Sequence, residues 1–318
     1  MRCGSILTSY KQLTDANPYE WLGSVKVLLG LPELTLSTQP SASSFPAISQ
    51  LDAGSARITC LVIPEPIEAL VVNSNRPALV WVRTGVIRDQ PDVFIVAAHE
   101  QVSIVSDNNT ALTIIQFPES AHFTERSDNL TPHQQQQVRW LLEHYLLASR
   151  YFEDHASALH QTRAMLVHLE DCLTNQRLAM ALPKQRLVDP KVERVVQFIR
   201  DHENWEFNLA DLVQLSYTSE RTLYNRMKRA IGMTPYRFYQ RCKLLRLRNA
   251  LLQCDTDSPS ISWHALEHGF THLGRLPALY MSHFGEKPSE TLARRRRLKE
   301  MSVANVRQQQ TESMENCG

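Results

Sequence analysis

The segment Ser219-Glu-Arg-Thr-Leu-Tyr-Asn-Arg-Met-Lys-Arg-Ala230 concentrates side chains that could read a polyanion. Wound as a helix, it turns Leu223 and Met227, four positions apart, inward. Arg221, Tyr224 and Asn225 then point outward near its start. Arginine can pair with the guanine edge and asparagine with the adenine edge of duplex DNA. Ser219, Arg226, Lys228 and Arg229 suit phosphate oxygens, which position a protein without reading sequence. The plainer reading is a solvated basic helix of a bundle.

Two other clusters could do chemistry. His264-Ala-Leu-Glu267-His268 matches the HxxEH spacing of a zinc peptidase, with both histidines on one helical face. A third ligand is not evident, and the segment also fits the first helix of a repeat described below. Upstream, His99, Glu100 and His122 lack the His-x-His and strand-spaced Glu that a metal-binding cupin would want, so they read as structural. The six cysteines, at 3, 60, 172, 242, 254 and 317, form no CxxC pair and read as reduced thiols. No catalytic residue, cofactor or metal is expected.

The elements that must carry the basic segment come from an internal repeat. One copy holds Leu209, Val213, Tyr217, Leu223, Gly232 and Pro235; the other holds Ile261, Ala265, Gly269, Leu276, Gly285 and Pro288. Each copy fits helix, tight turn, second helix, glycine stop and proline restart. The turns fall near Tyr217-Thr218 and Gly269-Phe270. Thr234-Pro235 caps a long helix joining the copies through Leu244, Leu247 and Leu251. A helix-turn-helix places its second helix in the major groove and leaves the first across the backbone.

Charge agrees. Residues 184–318 hold 22 Lys and Arg against 15 Asp and Glu, whereas residues 1–183 hold 12 against 18. A basic half joined to an acidic half suggests that one part meets a polyanion. At 318 residues the chain is long enough for two domains of roughly 100–200 residues each. No apolar run approaches the ~18 residues of a membrane span, and the start lacks a secretory pattern. A cytoplasmic protein without membrane contact is expected.

The N-terminal part has a different texture. Residues 1–45 are poorly patterned. Arg57–Ile63, Ala69–Val72, Ala78–Val82, Val93–Ala97, Val102–Val105 and Ala111–Phe117 are short β-branched or aromatic runs between turn signals. They predict an antiparallel sandwich or barrel. Thr131-Pro132 then starts a helix, and a second runs from about Asp154 to Met180. In it Leu159, Leu166 and Leu173 fall seven apart, with Leu169 on the alternate seam. That stripe fits either a dimer seam or packing on its own domain.

The segments Ser219–Met227, Gly232-Met-Thr-Pro-Tyr236, Gly269-Phe-Thr-His-Leu-Gly-Arg275 and Phe284-Gly-Glu-Lys-Pro-Ser-Glu-Thr-Leu292, in this order, resemble the DNA-binding domain of the AraC/XylS family of transcription regulators. The resemblance covers about 188–298. The ending is also similar to the subgroup that includes ethanolamine-utilisation regulators. The family implies two helix-turn-helix units on a rigid linker helix, reading successive major-groove segments. It implies an N-terminal β domain, often cupin-like, that binds an effector or dimerises, and activation as the usual outcome. The expected fold is therefore α+β: a cupin-like antiparallel domain with a helical hairpin over 1–180, a linker over 181–190, an all-α double helix-turn-helix domain over 191–298, and a disordered tail over 299–318. The two units fall at 210–231 and 261–284. Expected partners are double-stranded DNA, RNA polymerase, a small-molecule effector and a second copy of the chain.

Two positions depart from the family pattern. Tyr217 stands where the first turn usually has glycine, so that turn must close without its easiest residue. Pro277 lies within the expected second recognition helix, where it either bends the helix or marks a late start. Arg275 is the base contact left to that unit. A rival reading is a β-domain ligand sensor acting through protein partners; the HxxEH peptidase is more remote.

Overall fold

A computed structural model describes residues 7–30, 35–36, 45–63, 67–71, 76–100, 102–106, 110–118, 130–174, 189–254 and 260–300. Among the described residues the N-terminal half holds nine strands: β1 (Lys11–Leu13), β2 (Thr35–Leu36), β3 (Ile48–Asp52), β4 (Arg57–Ile63), β5 (Ile67–Val71), β6 (Ala78–Thr84), β7 (Val93–Val96), β8 (Val102–Ser106) and β9 (Thr110–Gln116). Six form one sheet in the order β1-β3-β4-β9-β6-β7, and β2-β5-β8 form a second. All pairings are antiparallel.

The larger sheet is covered on both faces. Leu61, Ile63, Val80, Val82, Leu112 and Ile114 pack on one side against Trp21, Leu22 and Val25 of α1 (Pro18–Leu29). Ile58, Cys60, Leu79, Trp81, Ile115 and Phe117 face the other way, onto α2 (Pro132–Ser149) and α3 (His155–Thr174). Alternate residues point to opposite faces of a strand, so two covered faces demand near-continuous apolar runs. The strand segments have that composition.

The described stretches of residues 1–45 hold regular elements that their pattern does not announce. These stretches contain β1 and α1, the latter capped by Asn17, opened by Pro18 and closed by Gly30 in the left-handed region. The helix expected at Thr131-Pro132 is present, with Thr131 and Gln134 forming a reciprocal capping box.

In the structure the leucine stripe of α3 packs on its own domain. Leu166 and Leu169 are buried within the chain's own second core, and Leu159 and Leu173 pack against it half-buried. The stripe packs α3 onto α2 and the sheet. The expected linker over 181–190 and the tail over 299–318 lie mostly outside the described residues: α3 ends at Thr174 and the next helix begins at Pro190.

The C-terminal half is helical: α4 (Pro190–Asp201), α5 (Leu209–Ser216), α6 (Glu220–Ile231), α7 (Pro235–Gln253), α8 (Ile261–Glu267), α9 (Leu276–Phe284) and α10 over 288–300. One core joins α4, α5, α6 and the start of α7; another joins the rest of α7 to α8 and α9. No helix among the described residues is long and apolar enough to cross a membrane.

The two halves touch through buried charge. Arg241 of α7 donates from Nε to the Phe152 carbonyl at 3.0 Å and from its guanidinium to Ser9 Oγ at 3.0 Å. Arg248, two turns further on, donates to the Lys11 carbonyl at 2.9 Å and to Glu286 at 2.6 Å. Arg295 pairs with Glu20, both buried. Burial pushes the Arg241 pKa down to about 10, which leaves it charged at neutral pH.

Candidate nucleic-acid interface

The first unit is assembled from local signals. Asn208 caps α5, its side chain accepting from the Ala210 amide at 3.0 Å. The helix stops at Tyr217, which takes the left-handed conformation (φ 49°, ψ 48°) expected of the residue closing this turn. A tyrosine there strains the backbone by roughly 1–2 kcal/mol. Its amide still reaches the Gln214 carbonyl at 3.2 Å, and Thr218 N reaches the Val213 carbonyl at 3.4 Å. Ser219 then caps α6 by accepting from Thr222 N.

Within α6, Leu223, Met227 and Ile231 are buried against α4 and α5. Arg221 and Asn225 are exposed and Tyr224 is half-buried, so all three border the open face near the helix start. Ser219, Lys228 and Arg229 are exposed as well. Arg226 is held differently: its guanidinium pairs at 2.8 Å with Asp189, the N-cap of α4. In the free protein it braces α6 against α4.

The second unit repeats the plan with a changed ending. Ser260 caps α8, and Gly269 (φ 73°) makes the turn with Phe270 N on the Ala265 carbonyl at 2.9 Å. Instead of entering an α-helix directly, the chain makes a 3-10 turn over Leu273–Arg275, and α9 starts only at Leu276. Pro277 is therefore a first-turn residue, where its missing amide donor costs nothing. The late start replaces the bend that proline could have imposed. Arg275 sits exposed at the N-cap of a helix shorter than α6.

The HxxEH residues have separate surroundings. His264 Nε2 lies 3.1 Å from Cys254 Sγ, His268 is half-buried with burial lowering its pKa, and Glu267 is exposed. Among the described residues, no group of three or more His, Cys, Asp or Glu could hold a metal ion. Glu100 caps the Ala97 amide at 2.7 Å, and His99 takes a positive φ; His122 lies outside the described residues.

Sequence reasoning missed the cations of α7. Arg241, Lys243, Arg246 and Arg248 have the composition of a solvated or phosphate-facing stripe. The structure engages each of them within the chain. The only signal in the sequence is their interleaving with Leu244, Leu247 and Leu251, which places them beside a core rather than on an open face.

A family model described as a helix-turn-helix domain matches residues 212–294. The chain is similar to the XylDLEGF operon transcriptional activator 2 of Pseudomonas putida, with 40% identity over 105 residues, covering 33% of this chain and 67% of that protein. Across other XylDLEGF operon activators the match spans about a third of their length. It is also similar to the HTH-type transcriptional activator RhaS of Enterobacter sp. (strain 638), at 27% identity over 165 residues, 49% of this chain and 53% of that one. Among solved structures, the AraC-like transcriptional activator CuxR aligns over 71% of this chain and 89% of its own, with 14% identity and a TM-score of 0.35.

Proposed function

The chain belongs to the AraC/XylS family of DNA-binding transcription regulators and is not an enzyme; from that premise we propose that it activates transcription by reading two successive major-groove segments, mainly through α6. In this reading Arg221, Tyr224 and Asn225 contact base edges, while Ser219, Lys228 and Arg229 hold phosphates. Arg226 joins them by exchanging Asp189 for phosphate. Arg275 is the contact of the second unit, and the short α9 makes it the lesser reader. The observation that carries this is the pairing on α6 of buried Leu223 and Met227 with outward Arg221 and Asn225, directly after a capped turn.

The N-terminal domain is proposed as a cupin-like module that takes a small-molecule effector. RNA polymerase and a second copy of the chain complete the proposed partners, the second copy through a surface other than the leucine stripe. The subgroup likeness to ethanolamine-utilisation regulators rests on residues 284–292 alone. The proposed location is the cytoplasm, where the DNA is.

Binding selection on randomised duplexes tests the reading. Arg221→Ala and Asn225→Ala each lose about 1–3 kcal/mol and relax preference at one or two base pairs. Lys228→Ala weakens binding to every sequence and flattens the salt slope by about one unit. Unchanged base preference in both Arg221→Ala and Asn225→Ala overturns the assignment of α6. Arg275→Ala altering base preference as sharply as Arg221→Ala overturns the ranking of the units.

A further inference from the structure

Two cations one turn apart on α7 hold the two units from the same side. Arg246, nearly buried, donates to the Ile199 and Arg200 carbonyls at 3.0 Å each and to the Glu203 carbonyl at 3.2 Å. These belong to the last turn of α4 and the residues just after it, where backbone acceptors lack intrahelical donors. Its Nε also lies 3.8 Å from the Glu203 carboxylate. Lys243 reaches the other way: Nζ donates to the Gly269 carbonyl at 2.5 Å and lies 4.8 Å from the centre of the Phe270 ring. Gly269 is the left-handed residue that turns the second unit, and its carbonyl leads into the 3-10 turn before α9.

A backbone carbonyl cannot swing without its peptide plane, so each bond orients a chain segment rather than a side chain. Arg246 fixes the end of α4, and with it the first unit's core, on α7. Lys243 fixes the turn of the second unit on the same stretch of α7. Charged groups of the α4–α5 connection also act here, Glu206 on Lys243 of α7 and Glu203 on His268 of the second unit.

We infer that Lys243 and Arg246 are positioning residues that fix the phase between the two reading helices, so that the protein selects DNA by half-site separation as well as by base sequence. The inference rests on the two-unit reading proposed above. Equivalent major-groove faces recur every 10–10.5 base pairs, about 34–36 Å. Adding one base pair therefore both rotates and displaces the second half-site. A unit bonded rigidly to α7 cannot follow, whereas a loosened one can.

The experiment uses the full chain and a set of duplexes, all carrying the selected half-sites but with the spacing changed by −1, 0, +1 or +2 base pairs. The wild type is expected to lose about tenfold in affinity for a one-base-pair change, the scale of losing a base contact. In Lys243→Met and Arg246→Met that penalty should fall below about threefold, with the optimum spacing itself bound somewhat more weakly. Lys243→Arg and Arg246→Lys keep a donor and should restore the penalty. Thermal melts of each variant establish that it is folded. A wild type indifferent to spacing removes the two-unit reading itself. A wild type with a preference that both Met variants share unchanged, or Met variants weakened equally at every spacing, overturns the positioning role while leaving that reading intact.

Discussion

His283 should make this protein acid-labile well above the carboxylate range. It lies on the inner face of α9 and is 6% exposed, with Phe284 edge-on at 4.7 Å between ring centroids and its Nε2 atom without a hydrogen-bond partner. Burial, reinforced by the positive charges of Arg241 and Arg248, pushes its pKa down to about 3 from an ordinary 6.5. The folded protein therefore keeps this ring neutral while the unfolded chain protonates it. Below pH 6.5 the unfolded state binds one proton more, and stability falls as pH falls, until the folded pKa is reached. The slope is about 1.4 kcal/mol per pH unit and levels off near the folded pKa, so about 2 kcal/mol is lost by pH 5 and about 4 kcal/mol by pH 3. Either loss is large beside a total stability of about 5–15 kcal/mol. The assay is urea denaturation followed by tryptophan fluorescence at about pH 7, 6 and 5, with His283→Gln alongside the wild type. His155 is also shifted down by burial, and its contribution cancels in the comparison. The wild type should lose about 2 kcal/mol more than the variant between pH 6.5 and 5. Parallel pH dependences would show that His283 is protonated in the folded state and that the argument from burial and arginine repulsion is wrong.

Two further substitutions follow from the fold. Leu169→Ala should cost about 2–5 kcal/mol of unfolding free energy, because the side chain is completely buried in the second core; a variant of unchanged stability but altered sedimentation would revive the dimer seam. Tyr217→Gly should raise stability by up to about 1 kcal/mol, as relief of roughly 1–2 kcal/mol of left-handed strain exceeds the ~0.5–1 kcal/mol of extra unfolded-state entropy of glycine; since the side chain is 79% exposed, a lowered melting temperature would mean that it makes a contact the free structure lacks.

Much of the fold is legible in the sequence, and the exceptions have physical causes. The apolar run over 57–63 coincides with β4 to the residue, and the other runs match their strands to within two residues at either end; in β4, β6 and β9 the cause is burial on both faces, which selects β-branched and apolar side chains. The repeat reveals the helix-turn-helix units because each turn needs a left-handed residue at one position and each long helix a Pro start. By contrast, α1 escapes notice although Asn17-Pro18 carries the same kind of start as Thr131-Pro132 and Thr234-Pro235. Its apolar residues surround much of the helix, so no helical period stands out. The late start of α9 is legible only as an alternative. Pro277 is compatible with a bend or a first turn, and the choice is made by the 3-10 turn ahead of it, which no spacing announces.

The charge asymmetry has two physical sources rather than one. The basic excess of residues 184–318 suggests a polyanion partner, yet Arg237 and Arg295 pair with Glu153 and Glu20 of the acidic half, and Arg241 and Arg248 bond its backbone. Part of the asymmetry is thus the signature of the contact between the halves. Buried ion pairs contribute little net stability but are costly to break singly, so they favour one relative arrangement over others. On a helix of 3.6 residues per turn, Arg241 and Arg248 share one side of α7, while Lys243 and Arg246 fall roughly opposite. The Arg248 side is shared: the same guanidinium that bonds the Lys11 carbonyl donates to Tyr280 at 3.3 Å and to Glu286 at 2.6 Å, so the N-terminal domain and the second unit meet on one side of α7. α3 and the short 3-10 turn at Thr8–Tyr10 also pack directly on α9, so the N-terminal domain bears on the second unit without α7 as intermediary.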